Sequence, residues 1–88
     1  SPSAKIANQL SELGATVSIC DPHIDPARSG TYASSLVPFS PETMSDADVV
    51  VLLVGHPEFD PELIASHGRL ILDTRNILRG VDFKGEVL

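Results

Sequence analysis

Three segments of the chain share a pattern that starts helices, a capping side chain followed directly by proline. These segments are Ser1-Pro2, Ser40-Pro41 and Asp60-Pro61. The capping oxygen accepts a free backbone N–H, and proline suits the first helical position because its missing N–H would have no partner there. The last two segments continue with a glutamate, which is favourable near the positive end of the helix dipole. The pattern therefore predicts three helices.

Apolar spacing and glycine indicate how far two of these helices extend. Ile6, Leu10 and Leu13 follow one another at spacings of four and three, which predicts one buried stripe on the first helix. Gly14 then predicts a left-handed stop, because glycine adopts positive φ without a steric penalty. The third helix is predicted over residues 61–67, with Gly68 at its end.

Apolar runs between the helices predict strands. Residues 16–20 alternate polar and apolar and precede a proline, which prevents the ladder from continuing. Residues 49–54 are an unbroken apolar run, which predicts a strand covered on both faces. Residues 70–72, directly before Asp73, predict a third strand, and no firm element is predicted from Val81 onward.

Helices and strands alternate in this prediction, which favours an α/β, Rossmann-like three-layer domain with a parallel sheet, because parallel neighbours need crossover helices. A doubly wound unit normally opens with a strand, whereas this chain opens with a helix, so we expect its first strand to be missing from the chain. That strand would lie between the one ending at Cys20 and the one formed by residues 49–54. We therefore expect residues 1–88 to be a single-domain fragment that needs a strand from upstream sequence or a partner chain to form a stable sheet.

Composition narrows the classes of function. The 88 residues carry a net charge of −6, which disfavours broad binding to nucleic acid or anionic membrane surfaces. A single cysteine excludes an internal disulfide, and the longest apolar run is far too short to span a bilayer. The first residues predict a helix rather than a signal peptide, so we expect a cytoplasmic protein.

Arg75 is the strongest candidate for a binding residue. It follows a predicted buried strand, at the edge where open α/β sheets bind ligands, and a guanidinium can hold a diphosphate through two hydrogen bonds. The structural alternative is an ion pair with Asp73 or a neighbouring carboxylate, and the residues alone leave both open. Three of the other basic residues also fall within the last twenty positions: they are Arg69, Arg79 and Lys84.

Other polar residues have mainly structural interpretations. Cys20 ends a predicted strand without a nearby cation, which favours an inert packing residue over a nucleophile. Asp21, His23 and Asp25 alternate, so they could bind a divalent metal or a ribose hydroxyl, although an Asp-Pro turn explains them better.

The remaining histidines and acidic residues also have mainly structural interpretations. His56 is interpreted as a loop residue rather than a general base, and His67 as a helix C-terminal cation. The acidic residues Glu58, Asp60 and Glu62 are interpreted as a solvated helix start. We therefore predict no catalytic residue and no metal site in this chain.

Five ordered matches give the chain a resemblance to a known family. They are residues 1–3, residues 13–18 leading to Asp21-Pro22, residues 46–54, the pair His56 and Phe59, and residues 72–76. In this order and spacing they resemble the C-terminal UDP-binding domain of the nucleotide-sugar (UDP-glucose/GDP-mannose) dehydrogenases. Residues 73–76, Asp-Thr-Arg-Asn, look most like the UDP-N-acetylhexosamine branch.

The resemblance implies an enzyme that oxidises the C6 alcohol of a UDP-sugar to a carboxylate with NAD. It implies that NAD and the catalytic cysteine belong to other domains of a parent enzyme that forms dimers, and that Arg75 contacts the UDP-sugar. The competing hypothesis is a non-catalytic α/β regulatory or interaction module, receiver-like or flavodoxin-like, because a fold alone implies no chemistry. A receiver would carry a lysine after its last strand, where this chain has Arg75.

Overall fold

The computed structural model of the protein describes residues 2–23 and 35–88. Its elements in chain order are α1 (Pro2–Glu12), α2 (Pro41–Asp46), β1 (Val50–Leu52), α3 (Pro61–His67), β2 (Leu70–Asp73) and β3 (Glu86–Val87). The chain divides into two compact units, Ser1–Pro38 and Phe39–Leu88.

The second unit is built on a three-stranded parallel sheet in the order β1-β2-β3. The register pairs Val50 with Ile71 and Leu70 with Glu86, so β2 has a partner on both sides. Helix α3 connects β1 to β2, as a parallel pair requires. The predicted α/β class with a parallel sheet is confirmed.

The core of the second unit lies on one face of this sheet. Val50, Leu52 and Ile71 are buried and share that face, because paired residues of neighbouring strands project to the same side. The other buried apolar residues, from the helices and the loop after β2, are Met44, Ile64, Ala65 and Leu78. A Cβ atom at Gly68 would lie 2.9 Å from the Ile71 side chain, so the end of α3 packs directly on this face.

The opposite face of the sheet is apolar but open. Val51 pairs with Leu72, and their exposed fractions are 36% and 39%. Val49 and Val54, which flank the strand, are also exposed. The expectation that residues 49–54 form a strand covered on both faces is therefore wrong for this structure: the strand has three residues, and Val51 on its second face is exposed.

Both predicted helix starts in the second unit are confirmed. Thr43 donates its N–H to the Ser40 hydroxyl oxygen at 3.1 Å, and Glu62 donates its N–H to the Asp60 carboxylate at 3.0 Å. Gly68 ends α3 as predicted, but with φ −67° rather than in the left-handed region. The corresponding cap of α1, Ser1, lies outside the described residues.

The first unit differs from its prediction. Gly14 has φ +99°, so the predicted left-handed stop after α1 is confirmed. The predicted buried stripe is wrong, because Leu10 is 37% exposed and Leu13 is 84% exposed. The predicted strand over residues 16–20 is reduced to one parallel bridge between Ile19 and Leu36. Within the part of this unit that the structure describes, α1 therefore has no sheet to pack against, and no residue is fully buried.

The last residues form a strand where none was predicted. Glu86 donates its N–H to the Arg69 carbonyl at 2.9 Å, and Leu88 donates to the Ile71 carbonyl at 2.7 Å. A Cβ atom at position 85 would overlap the carbonyl oxygens of Gly68 and Arg69, so the close approach of this segment requires Gly85.

Candidate functional site

The loops after β1 and β2 meet at the carboxyl edge of the sheet. Thr74 donates both its N–H and its hydroxyl to the Leu52 carbonyl, at 3.2 Å and 2.5 Å, which ties the second loop to the end of β1. Gly55 in the first loop lies beside Ile77 in the second, because a Cβ atom added at Gly55 would be 3.6 Å from the Ile77 side chain. Open α/β sheets bind their ligands in the crevice at this edge, so the loops that meet here form the candidate site.

Asp73 organises the second loop through its carboxylate. One oxygen, Oδ1, accepts the N–H groups of Arg75 and Ile77 at 3.1 Å and 3.0 Å, and Oδ2 accepts the N–H of Leu78 at 2.9 Å. Burial acts to raise the pKa of the Asp73 carboxyl, but the backbone N–H groups of Leu78, Ile77 and Arg75 outweigh it and leave the pKa below its ordinary value. The carboxylate is therefore held ionised as an acceptor for the loop.

The same loop contains a left-handed turn at Asn76, whose φ is 57°. Asparagine tolerates this conformation better than most residues because its short polar side chain can bond locally. Leu78, two residues later, is buried in the core and accepts the Val81 N–H through its carbonyl at 3.0 Å. The loop is thus fixed at Thr74, at Asp73 and at Leu78.

Arg75 lies on the exposed side of this fixed loop. Asp73 accepts the backbone N–H of Arg75 and not its guanidinium, so the predicted alternative of an Arg75–Asp73 ion pair does not occur in the structure. Among residues 2–23 and 35–88, no carboxylate forms an ion pair with the Arg75 side chain. Its five N–H donors are therefore available to a ligand.

Arg69 is not part of the site around Arg75, although both are among the basic residues of the last twenty positions. It precedes β2, whereas Arg75 follows it, so the two lie at opposite edges of the sheet. The Arg69 guanidinium donates to the Ser45 and Asp46 carbonyls at 3.0 Å and 3.2 Å, and it lies 3.7 Å from the Asp48 carboxylate. These contacts satisfy free carbonyls at the end of α2, which is a structural role that sequence analysis missed.

Cys20 has the environment of a packing residue. Its side chain is partly buried, and the thiol donates to the Pro38 carbonyl at 3.8 Å. Burial raises the pKa of the Cys20 thiol, which is the opposite of what a reactive thiolate needs. The geometry supports the structural interpretation.

The alternating residues after Cys20 form a turn. The Asp21 carboxylate accepts the His23 N–H at 2.9 Å, as expected for an aspartate that starts a turn. Asp25, the third of the alternating residues, lies outside the described residues.

A small aromatic cluster follows β1. The rings of His56 and Phe59 meet edge to face with centroids 5.3 Å apart, and Phe59 packs against Phe39 at 5.1 Å. The Phe59 N–H also donates to the His56 carbonyl at 3.0 Å. His56 is thus a partly buried loop residue, as interpreted, while His67 lies exposed in the last turn of α3. The pairing with Phe39 could not be foreseen from its distant place in the chain.

Comparison with known proteins agrees with this arrangement. A model of the UDP-glucose/GDP-mannose dehydrogenase family, UDP binding domain, matches residues 1–80. Neither the search of curated proteins nor the search of solved structures returned a match. In the part of the chain that the structure describes, no helix is long and apolar enough to cross a bilayer. Because the family match spans all but the last eight residues and includes both loops at the carboxyl edge, the chain belongs to the UDP-glucose/GDP-mannose dehydrogenase family, as its UDP binding domain.

Proposed function

We propose that the chain binds the UDP part of a UDP-sugar and that it is a domain of a longer, NAD-dependent nucleotide-sugar 6-dehydrogenase. That enzyme would oxidise the sugar C6 alcohol to a carboxylate and so supply a UDP-uronic acid for polysaccharide synthesis. The observation that carries the proposal is Arg75, an exposed guanidinium that forms no ion pair among the described residues, on a fixed loop at the carboxyl edge of a parallel sheet and inside the region that matches the family.

The diphosphate of UDP is the group that Arg75 suits best. A planar guanidinium donates two parallel hydrogen bonds to phosphate oxygens, which adds direction to the charge attraction. The net charge of −6 repels an anion at long range, so binding has to come from local contacts. Backbone N–H groups of Arg75, Ile77 and Leu78 already donate to Asp73. The contact therefore falls to the side chain.

The NAD cofactor does not fit the residues of this chain. Backbone N–H groups at a helix start are the usual pyrophosphate site, but α2 and α3 begin with proline, and Ser40 and Asp60 cap their first turns. No glycine-rich dinucleotide turn precedes a helix in the sequence. We assign NAD and the cysteine nucleophile to other domains of the parent enzyme, with Cys20 as a packing residue.

The segment Asp-Thr-Arg-Asn at 73–76 favours a UDP-N-acetylhexosamine as the sugar nucleotide, by its resemblance to that branch of the family. We also propose that the parent enzyme is a cytoplasmic homodimer whose remaining domains are the partners of this one. Kinetics of the complete enzyme with UDP-glucose and with UDP-N-acetylhexosamines would decide the branch.

The test of the proposed function is Arg75→Ala in the complete dehydrogenase. The KM for the UDP-sugar should rise about ten- to a hundredfold, because a lost charge-assisted contact costs about 1.5 to 3 kcal/mol. NAD binding should stay unchanged. Arg79→Ala, which removes another exposed arginine four positions later, is the matched control and should have a small effect. An unchanged KM for Arg75→Ala, or equal losses for both variants, would contradict a specific Arg75–diphosphate contact.

A further inference from the structure

The Asp73 carboxylate is committed to the loop that carries Arg75. Both of its oxygens accept main-chain N–H groups, those of Arg75, Ile77 and Leu78, over distances of 2.9 to 3.1 Å. Every one of these donors lies within five residues of Asp73, so the carboxylate closes the loop upon itself at the end of β2.

Resting on the proposed function, we propose that Asp73 is the positioning residue of the diphosphate site and acts through Arg75. It fixes the backbone from which the Arg75 side chain extends, and the bond from Thr74 to the Leu52 carbonyl holds the same loop against β1. The left-handed Asn76 completes the turn between the two Asp73-bonded segments.

The physical reason lies in the geometry that a bidentate contact demands. A guanidinium at the end of a long, flexible side chain meets two phosphate oxygens at once only if its backbone direction is settled beforehand. A loop held by three hydrogen bonds to one carboxylate provides that direction without ordering on binding.

The negative charge of Asp73 makes its role testable. Simple repulsion of the diphosphate and positioning of Arg75 predict opposite changes in UDP affinity when that charge is removed. A carboxylate two residues from the diphosphate contact repels that anion, so removing its charge should tighten UDP binding if electrostatics were its only influence. If Asp73 positions Arg75, removing the carboxylate should weaken UDP binding despite the lost repulsion.

The experiment measures UDP binding to the complete dehydrogenase by calorimetry. We expect Asp73→Asn, which lacks the second acceptor oxygen, to weaken UDP binding roughly tenfold while leaving NAD affinity unchanged. Asp82→Asn is the matched control: it makes the same charge change at an exposed position outside the loop that Asp73 organises, and UDP affinity should be unchanged or slightly higher. Asp73→Glu keeps the charge but moves the oxygens by a methylene, and it should also weaken binding.

A double-mutant comparison separates positioning from general stability. In an Arg75→Ala background, Asp73→Asn should cause no further loss of UDP affinity, because its effect is transmitted through Arg75. An additive loss, or unchanged UDP affinity for both Asp73→Asn and Asp73→Glu, would overturn the inference. If Asp73→Asn does not fold, Asp73→Glu with unchanged UDP affinity overturns it alone.

The outcomes also separate this inference from the proposed function. If Arg75→Ala weakens UDP binding and the Asp73 variants do not, only the positioning role fails. If Arg75→Ala leaves UDP affinity unchanged, the proposed function fails and the positioning role fails with it.

Discussion

Helices α1 and α3 both begin at a proline, yet they end in different environments. Helix α3 has seven residues and buries Ile64 and Ala65 completely or nearly so, with exposed fractions of 1% and 0%. Helix α1 has eleven residues, yet its Leu10 is 37% exposed, and Leu13 directly after it is 84% exposed. Helix length and apolar spacing are therefore not what decides burial. What decides it is whether paired strands offer the helix an apolar face.

The strands show the same contrast. In the second unit Ile71 is flanked by β1 and β3 and is fully buried. In the first unit Ile19 makes a single bridge with Leu36, supported by hydrogen bonds to Ser35 and from Val37 at 2.7 Å and 2.8 Å. A core forms where pairing is continuous, because each added strand supplies both hydrogen bonds and an apolar surface.

The largest difference in stability between the units should appear when one large apolar side chain of each unit is truncated. Ile71→Ala should lower the local free energy of unfolding by about 2 to 5 kcal/mol, since it leaves a cavity in the core. Leu13→Ala should change it by less than about 0.5 kcal/mol, because that side chain is already exposed. Native-state hydrogen exchange with mass spectrometry on the complete protein measures both. A comparable loss for Leu13→Ala would show that α1 is covered in solution.

A smaller effect should follow from disturbing the edge of the better-formed unit. Gly85→Ala places a methyl group against the Gly68 and Arg69 carbonyls and should cost about 1 to 3 kcal/mol, detaching β3. Gly55→Ala is the matched control, because its new Cβ would meet only Ile77 at an ordinary distance. Exchange rates of the Glu86 and Leu88 amides report on the detachment. Equal rates in Gly85→Ala and the parent protein would mean that β3 does not need this glycine.

The smallest effect is expected at Cys20 in the first unit. Cys20→Ser should preserve turnover of the complete enzyme and lower stability by about 1 kcal/mol, since a hydroxyl replaces a partly buried thiol. Because the folded pKa of this thiol is raised, its stabilising contribution is complete below the ordinary thiol pKa and is lost as pH rises through the raised value.

Alkylation by iodoacetamide should accordingly begin at higher pH in the folded protein than in urea. Rapid alkylation of the folded protein at neutral pH, or a Cys20→Ser enzyme that binds both ligands without turnover, would indicate a reactive cysteine.

Local signals in the sequence were sufficient where local contacts decide the structure. The caps at Ser40 and Asp60, the turn at Gly14 and the strand before Asp73 were all predicted, because each depends on residues a few positions apart. Strand β3 was missed because it has two residues and is held by backbone bonds and Gly85. The burial predicted for α1 and for residues 49–54 was wrong, because burial depends on which faces other elements cover.

The candidate site was predictable to a similar degree. Arg75 could be singled out from its place after a strand. That Asp73 accepts its backbone N–H rather than its guanidinium could not be foreseen. Asp73 and the turn-forming Asn76 three positions later were the sequence signal for a loop held by an aspartate. The expectation that a further strand pairs with β1 stays a prediction; among the described residues, β1 pairs with β2 alone.

The parallel pairing has a consequence for how the protein folds. Every strand pair that the structure describes, including the Ile19–Leu36 bridge, is parallel, and none is a hairpin. Each pair joins positions far apart in the chain, with α3 between β1 and β2, so a long loop must close before any ladder bond forms. Such a topology lacks a fast local nucleus and folds slowly for its size. While it does so, the apolar edge at Val50–Leu52 is exposed to other chains, which favours association during folding.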